Sequence, residues 1–234
     1  MTDTPRDADH WAKPVSKLHV EDVPAGARNL VEGKRLLGPV QGFGKMWQKT
    51  YRVALHGSDA SPTEVVRDWK EHFPEFWPEG NQFYAPLTGI EPGEVALIKA
   101  SIAGGLKLST GVMVMYADDE SFTLMTPQGH VFAGWITFSA FEESDATVAQ
   151  AQVLMRAQDP LSELGLSLGG HKQEDRFWER TLANLAAHFG VEGQVSTQVT
   201  CVDRRRQWAK AGNIRHSAAL RSSMAALRPR RSSR

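Results

Sequence analysis

The sequence predicts an α+β domain in which a curved antiparallel sheet wraps around a long C-terminal helix. Three observations carry this. Five short apolar-rich runs lie within residues 94–156, separated only by turn signals. One amphipathic helical pattern follows at about 173–189, and a capped helix start at Ser61 precedes them all. Connections this short join antiparallel neighbours, because a parallel crossover needs about a dozen residues or more.

Residues 1–46 read as an N-terminal arm. Pro5, Pro14, Pro24 and Pro39 interrupt it, and Gly33, Gly38, Gly42 and Gly44 loosen it. Leu30, Val31, Leu36 and Leu37 need cover, so part of the arm should pack. Over 49–55 the pattern becomes alternation, with Tyr51, Val53 and Leu55 on one face, the mark of a half-buried first strand. Ser61-Pro62-Thr63-Glu64 then starts a helix. The Ser61 hydroxyl can cap the third helical N–H, Glu64 can reach back, and Pro62 wastes no donor. Val65, Val66, Trp69 and Phe73 give that helix its apolar face, and Pro74 ends it.

Strands are expected at 95–102, 106–116, 122–125, 131–141 and 147–157, with hairpin connections at Gly104-Gly105 and at 117–120. Parity assigns faces. Ala96, Ile98 and Ala100 should point inward, as should His130, Phe132, Gly134, Ile136 and Phe138, and Ala149, Ala151, Val153 and Met155. Gln150, Gln152 and Arg156 should point outward. Trp135 then also points out and needs a bulge or the arm to cover it. A one-residue slip would reverse each set. Met113 and Met115 share parity with Ser109 and so with the outer face. In the long helix, Trp178, Leu182, Leu185 and Phe189 form a stripe for one face, while Glu174, Asp175, Arg176, Glu179 and Arg180 supply surface. Gly190 stops it. Val195, Val199 and Val202 suggest an added edge segment.

The 234 residues suit one domain, spanning 47–190, with arms. No apolar run reaches the length needed to cross a bilayer. The polar, acidic N-terminus lacks a signal-peptide core, and Cys201 is the only cysteine, so a cytoplasmic location is expected. Zero net charge hides an asymmetry: in 203–234 nine Arg and Lys210 face only Asp203, a net +9 against −9 elsewhere. Residues 191–234 therefore read as a basic, partly disordered extension. Its simplest role is a solvated end that balances an acidic body. Arg204-Arg205-Arg206, Trp208, Leu220, Met224 and Leu227 could also give a basic amphipathic helix making weak contact with an anionic membrane. Nucleic acid is not expected, since the strands lack the basic and aromatic platform of single-strand binders.

The order strand, short helix, antiparallel strands and long terminal helix resembles the START/Bet v 1-like helix-grip superfamily, which includes polyketide cyclases (the SRPBCC group). The block Thr126-Pro127-Gln128-Gly129-His130-Val131-Phe132-Ala133-Gly134-Trp135 is similar to uncharacterised bacterial members of that group. The resemblance spans about 47–190. It implies an internal apolar cavity and small-molecule binding, but no activity, because the fold hosts carriers, cyclases and hydrolases alike.

Chemical motifs are sparse. Pro39 and Met46 break a Walker loop ending at Gly44-Lys45, and Trp47 stands where a dinucleotide fingerprint needs its third glycine. The eight histidines are scattered without ligand spacing, so neither metal nor cofactor is expected. His130, following a turn and opening a strand, is the one catalytic candidate: an imidazole there could shuttle a proton or bond a ligand carbonyl. Its simpler role is a bond to turn backbone. Trp69, Phe73, Phe132, Ile136, Phe138, Met155 and Leu182 are the expected ligand-binding residues. The leading expectation is a non-catalytic binder or carrier of a hydrophobic small molecule or lipid. A cyclase- or hydrolase-type enzyme using His130 and an interaction module acting through the basic tail stand as alternatives.

Overall fold

A computed structural model describes residues 8–101 and 107–221. The expected hairpin glycines Gly104 and Gly105, and Met224 and Leu227 of the tail, lie outside the described residues. The chain forms β1 (Met46–Ala54), α1 (Pro62–Glu71), β2 (Gln82–Tyr84), β3 (Val95–Ser101), β4 (Lys107–Ala117), β5 (Ser121–Met125), β6 (Phe132–Glu143) and β7 (Ala146–Ala157), then α2 (Pro160–Gly165), α3 (His171–His188) and β8 (Ser196–Asp203). The strands make one antiparallel sheet in the order β2-β3-β4-β5-β6-β7-β1-β8. With α1 and α3 packed on one face, this is the helix-grip architecture.

α1 begins as its sequence dictates. Ser61 Oγ accepts from the Glu64 N–H, and Glu64 accepts from the Ser61 N–H at 2.9 Å, satisfying two otherwise orphaned donors. α2 and α3 are separated by a π-turn at Leu166–Gly170, where Leu168 and Gly169 leave helical geometry. Gly169 has φ 117°, a conformation open to glycine and strained for other residues.

The inner face holds the main core. Ala96 and Ile98 of β3, Phe138 of β6, Ala149, Ala151, Val153 and Met155 of β7, and Leu182 and Leu185 of α3 are all buried there. Trp135 points the other way and is 38% exposed, with the arm at Gly38 beside its ring. The outer face has its own cluster: Leu18 and Val31 of the arm cover Leu97 and Met113, so Met113 is outward yet buried. Backbone bonds fix the arm, among them Leu37 N–H to Thr126 O and Ala12 N–H to Met115 O.

Two expectations need correction, and one is met. The edge segment expected around Val195, Val199 and Val202 is β8, which pairs with β1. The chain then returns across the end of β7, where the Gln207 N–H donates to Phe43 O and the Ala218 N–H to Gly129 O. Arg156 does have outward parity, but that returning chain buries it. Its guanidinium donates to the Gly44 and Arg205 carbonyls and pairs with Asp203 at 2.6 Å. Glu174, expected on the helix surface, is buried against β1.

Candidate functional site: a hollow between sheet and helix

The inner face is not uniformly filled. α1 and the turn that follows it drive Trp69 and Phe73 onto the sheet, where they meet Phe122 and Phe138 edge to face with ring centroids 5.0–6.2 Å apart. Phe122 and Phe138 stack at 4.7 Å. These rings are fully buried.

Further along β6, toward its N-terminal end, the inward positions are Ile136, Gly134 and Phe132. Opposite them stand Thr110 of β4 and Ala100 of β3. Glycine, alanine and threonine here leave a cavity of about 490 Å³, roofed by Phe177 and Trp178 of α3. Gly134 is required by the sheet itself, because a Cβ on it would lie 2.1 Å from the Leu154 carbonyl oxygen. Leu161, Leu166, Ala219 and Leu220 also line the cavity. Leu164 and Leu168, on α2 and the π-turn, are 56% and 76% exposed.

The expected ligand-binding residues therefore divide. Phe132, Ile136 and Met155 line the cavity. Trp69, Phe73, Phe138 and Leu182 lie in the packed core instead. His130 also lines the cavity, half-buried. Its Nδ1 accepts the Phe132 N–H at 2.9 Å, so the ring proton sits on Nε2. Burial pushes its pKa down to about 4, with the Phe132 N–H a smaller opposing influence. The imidazole is neutral near pH 7 and its basic lone pair is already engaged. What remains is an N–H donor.

A charged group not foreseen from the sequence forms part of the wall. Lys49 of β1 is 1% exposed and donates to Glu174 Oε2 at 2.8 Å and Asp175 Oδ1 at 2.7 Å. A longer contact of 3.4 Å reaches the His171 carbonyl. Tyr51 OH donates to the same Asp175 oxygen at 2.7 Å, and its pKa is pushed up, first by burial and then by Glu174 and Asp175. Glu174 lines the cavity; Lys49, Asp175 and Tyr51 stand behind it. His171 Nδ1 is buried without a hydrogen-bond partner, 3.9 Å from Glu174 Oε2. The signal for this group lies in two patterns: Lys49 shares parity with Tyr51 and Val53, and Glu174 falls one turn before Trp178 on the apolar stripe.

Among the described residues no group of His, Cys, Asp and Glu could hold a metal ion, and no helix is long and apolar enough to cross a membrane.

No protein-family model matches the chain, and no curated protein matches it. Solved structures do. The chain is similar to a START superfamily protein from Mycobacterium smegmatis, with 18% identity and a TM-score of 0.40 over 63% of this chain and 98% of that one. It is similar to major latex-like protein 151 from Panax ginseng, at 14% identity and a TM-score of 0.41 over 62% and 99%. It is also similar to the di-domain ARO/CYC StfQ of the steffimycin biosynthetic pathway, at 8% identity and a TM-score of 0.47. There the match covers 63% of this chain and 53% of the other, so the chain spans about half of that di-domain protein. Likeness at this level assigns no residue a role; the cavity and its lining are read from the chain itself.

Proposed function

We propose that this protein binds or carries a hydrophobic small molecule in the cavity between its sheet and α3. The observation that supports this most directly is the hollow of about 490 Å³ on an otherwise densely packed inner face. Interiors close-pack by default, and a largely apolar hollow of this size matches small-molecule sites, which run from about 300 to 1,000 Å³. Large, adaptable side chains at its wall, Met155, Phe177 and Trp178, suit an apolar ligand body.

The state of His130 favours binding over acid–base chemistry. A general base needs a free lone pair, and Nδ1 is already accepting the Phe132 N–H. The Nε2–H can instead orient a ligand carbonyl or hydroxyl.

Native mass spectrometry of protein purified from its own host, against a denatured control, tests the reading. A bound apolar mass lost on denaturation is the expected result. The decisive arm adds Ile136→Trp, which fills the cavity. A mass retained by that variant would place the ligand elsewhere and overturn the proposal.

A further inference from the structure

The wall around Glu174 carries information about the polar end of the ligand. Among the described residues lining the cavity, Glu174 is the one Asp, Glu, Lys or Arg. Its side chain is 7% exposed, and Oε2 is held by Lys49. Its other oxygen, Oε1, accepts no hydrogen bond from any described residue.

Lys49 cannot serve a ligand. Its three N–H bonds are directed at Glu174, Asp175 and the His171 carbonyl, and it does not reach the cavity wall. Two carboxylates share its one ammonium, and the other basic group beside them is the His171 imidazole, 3.9 Å from Glu174 Oε2 and outside the cavity lining. Tyr51 donates to Asp175 and adds no charge. The remaining titratable group of the wall, His130, offers a neutral N–H, which does not make the wall cationic.

We propose that the cavity selects its ligand by head group: it takes an apolar body ending in a hydrogen-bond donor, an alcohol or a protonated amine, seated on Glu174 Oε1, and it rejects carboxylates. A hydroxyl or ammonium satisfies the open oxygen. A carboxylate would have to lose its water beside a buried like charge, with no Lys or Arg among the described lining residues to pair with it, an arrangement that disfavours an ionised acid. This rests on the cavity reading above and adds the class of ligand to it.

The test uses three ten-carbon probes that differ only at the head: decanol, decylamine and decanoate. Each is titrated into the full-length protein near neutral pH, below its micelle concentration, and followed by tryptophan fluorescence, since Trp77 and Trp178 line the cavity. Decanol and decylamine are expected to bind at least about tenfold more tightly than decanoate. Glu174→Gln should bring decanoate to within about threefold of decanol and weaken decylamine. Ile136→Trp should lose all three, which separates cavity binding from attraction of the amine to the acidic body. Decanoate binding as tightly as decanol to the unaltered protein overturns the head-group inference while leaving the cavity reading intact. Tight binding of all probes to Ile136→Trp, or of none to the unaltered protein, overturns both. Should Glu174→Gln fail to fold, the order of the three probes on the unaltered protein decides the matter alone.

Discussion

The two ends of the inner face of β6 differ sharply, although one strand supplies both. At Phe138 the strand meets rings from α1 and the space is filled. At Ile136, Gly134 and Phe132, about two to six residues along at roughly 3.3 Å each, α1 no longer reaches and the space is open. The aromatic content of the chain thus does two jobs. Trp69, Phe73, Phe122 and Phe138 close one end, and closing it fixes the helices at a distance that leaves the other end hollow.

That division predicts where substitutions are felt as stability and where as binding. The largest expected effect is Phe73→Ala. It removes a fully buried ring that contacts four aromatic neighbours, Trp77, Phe83, Phe122 and Phe138. Urea unfolding should show a loss of about 3–5 kcal/mol. A loss under about 1 kcal/mol would mean that the filled end is not the structural anchor.

Lys49→Met comes next, because Lys49 lies in register with Val153 and Ile136 at the hollow end. The substitution leaves Glu174 and Asp175 facing a thioether, and an uncompensated buried carboxylate costs about 3 kcal/mol. The loss should shrink as the pH is lowered and the carboxylates take up protons. Unfolding curves that show no such recovery would remove the charge-based account of this site.

Ile136→Trp probes the hollow end. Filling empty space should cost less than about 1.5 kcal/mol, against the larger penalties of overpacking a filled core. Binding of decanol should nevertheless fall by at least about tenfold. The reverse outcome, a destabilised protein that still binds, would show that the hollow is closed in solution.

The same contrast explains what could be read from the sequence. Strand order, the capped start of α1, the helical stripe of α3 and the inward parity of β3, β6 and β7 all follow from alternation and spacing, which are local. Which inward residues line a void does not. Phe138 and Ile136 are indistinguishable by parity, and only the reach of Trp69 and Phe73 from α1 separates them. Arg156 and Glu174 fail for a related reason: polar identity argued for exposure, while cover came from elements distant in sequence, Asp203 and Lys49. A lysine in phase with Tyr51 and Val53 on β1, and a glutamate in phase with Trp178 and Leu182 on α3, are each half of a pair. Neither half is persuasive alone.

The smallest expected effect concerns the rim of the hollow end, at His130. Its pKa is held at about 4 in the folded protein by burial, below the 6.5 of a free imidazole. Between those values the unfolded chain binds a proton that the folded chain refuses. Stability attributable to this residue is therefore intact above pH 6.5 and falls as the pH drops toward 4. His130→Asn, which retains a side-chain acceptor for the Phe132 N–H, should flatten that part of the pH–stability profile and leave stability near pH 7 within about 1 kcal/mol of its starting value. Decanol affinity near pH 7 should change by no more than a few fold, about the worth of one neutral hydrogen bond. Paired urea midpoints for the two proteins from acid to neutral pH provide the measurement. Identical slopes would mean that the imidazole reaches water in solution, and so that the rim at this end is more open than the packed turn around Phe132 implies.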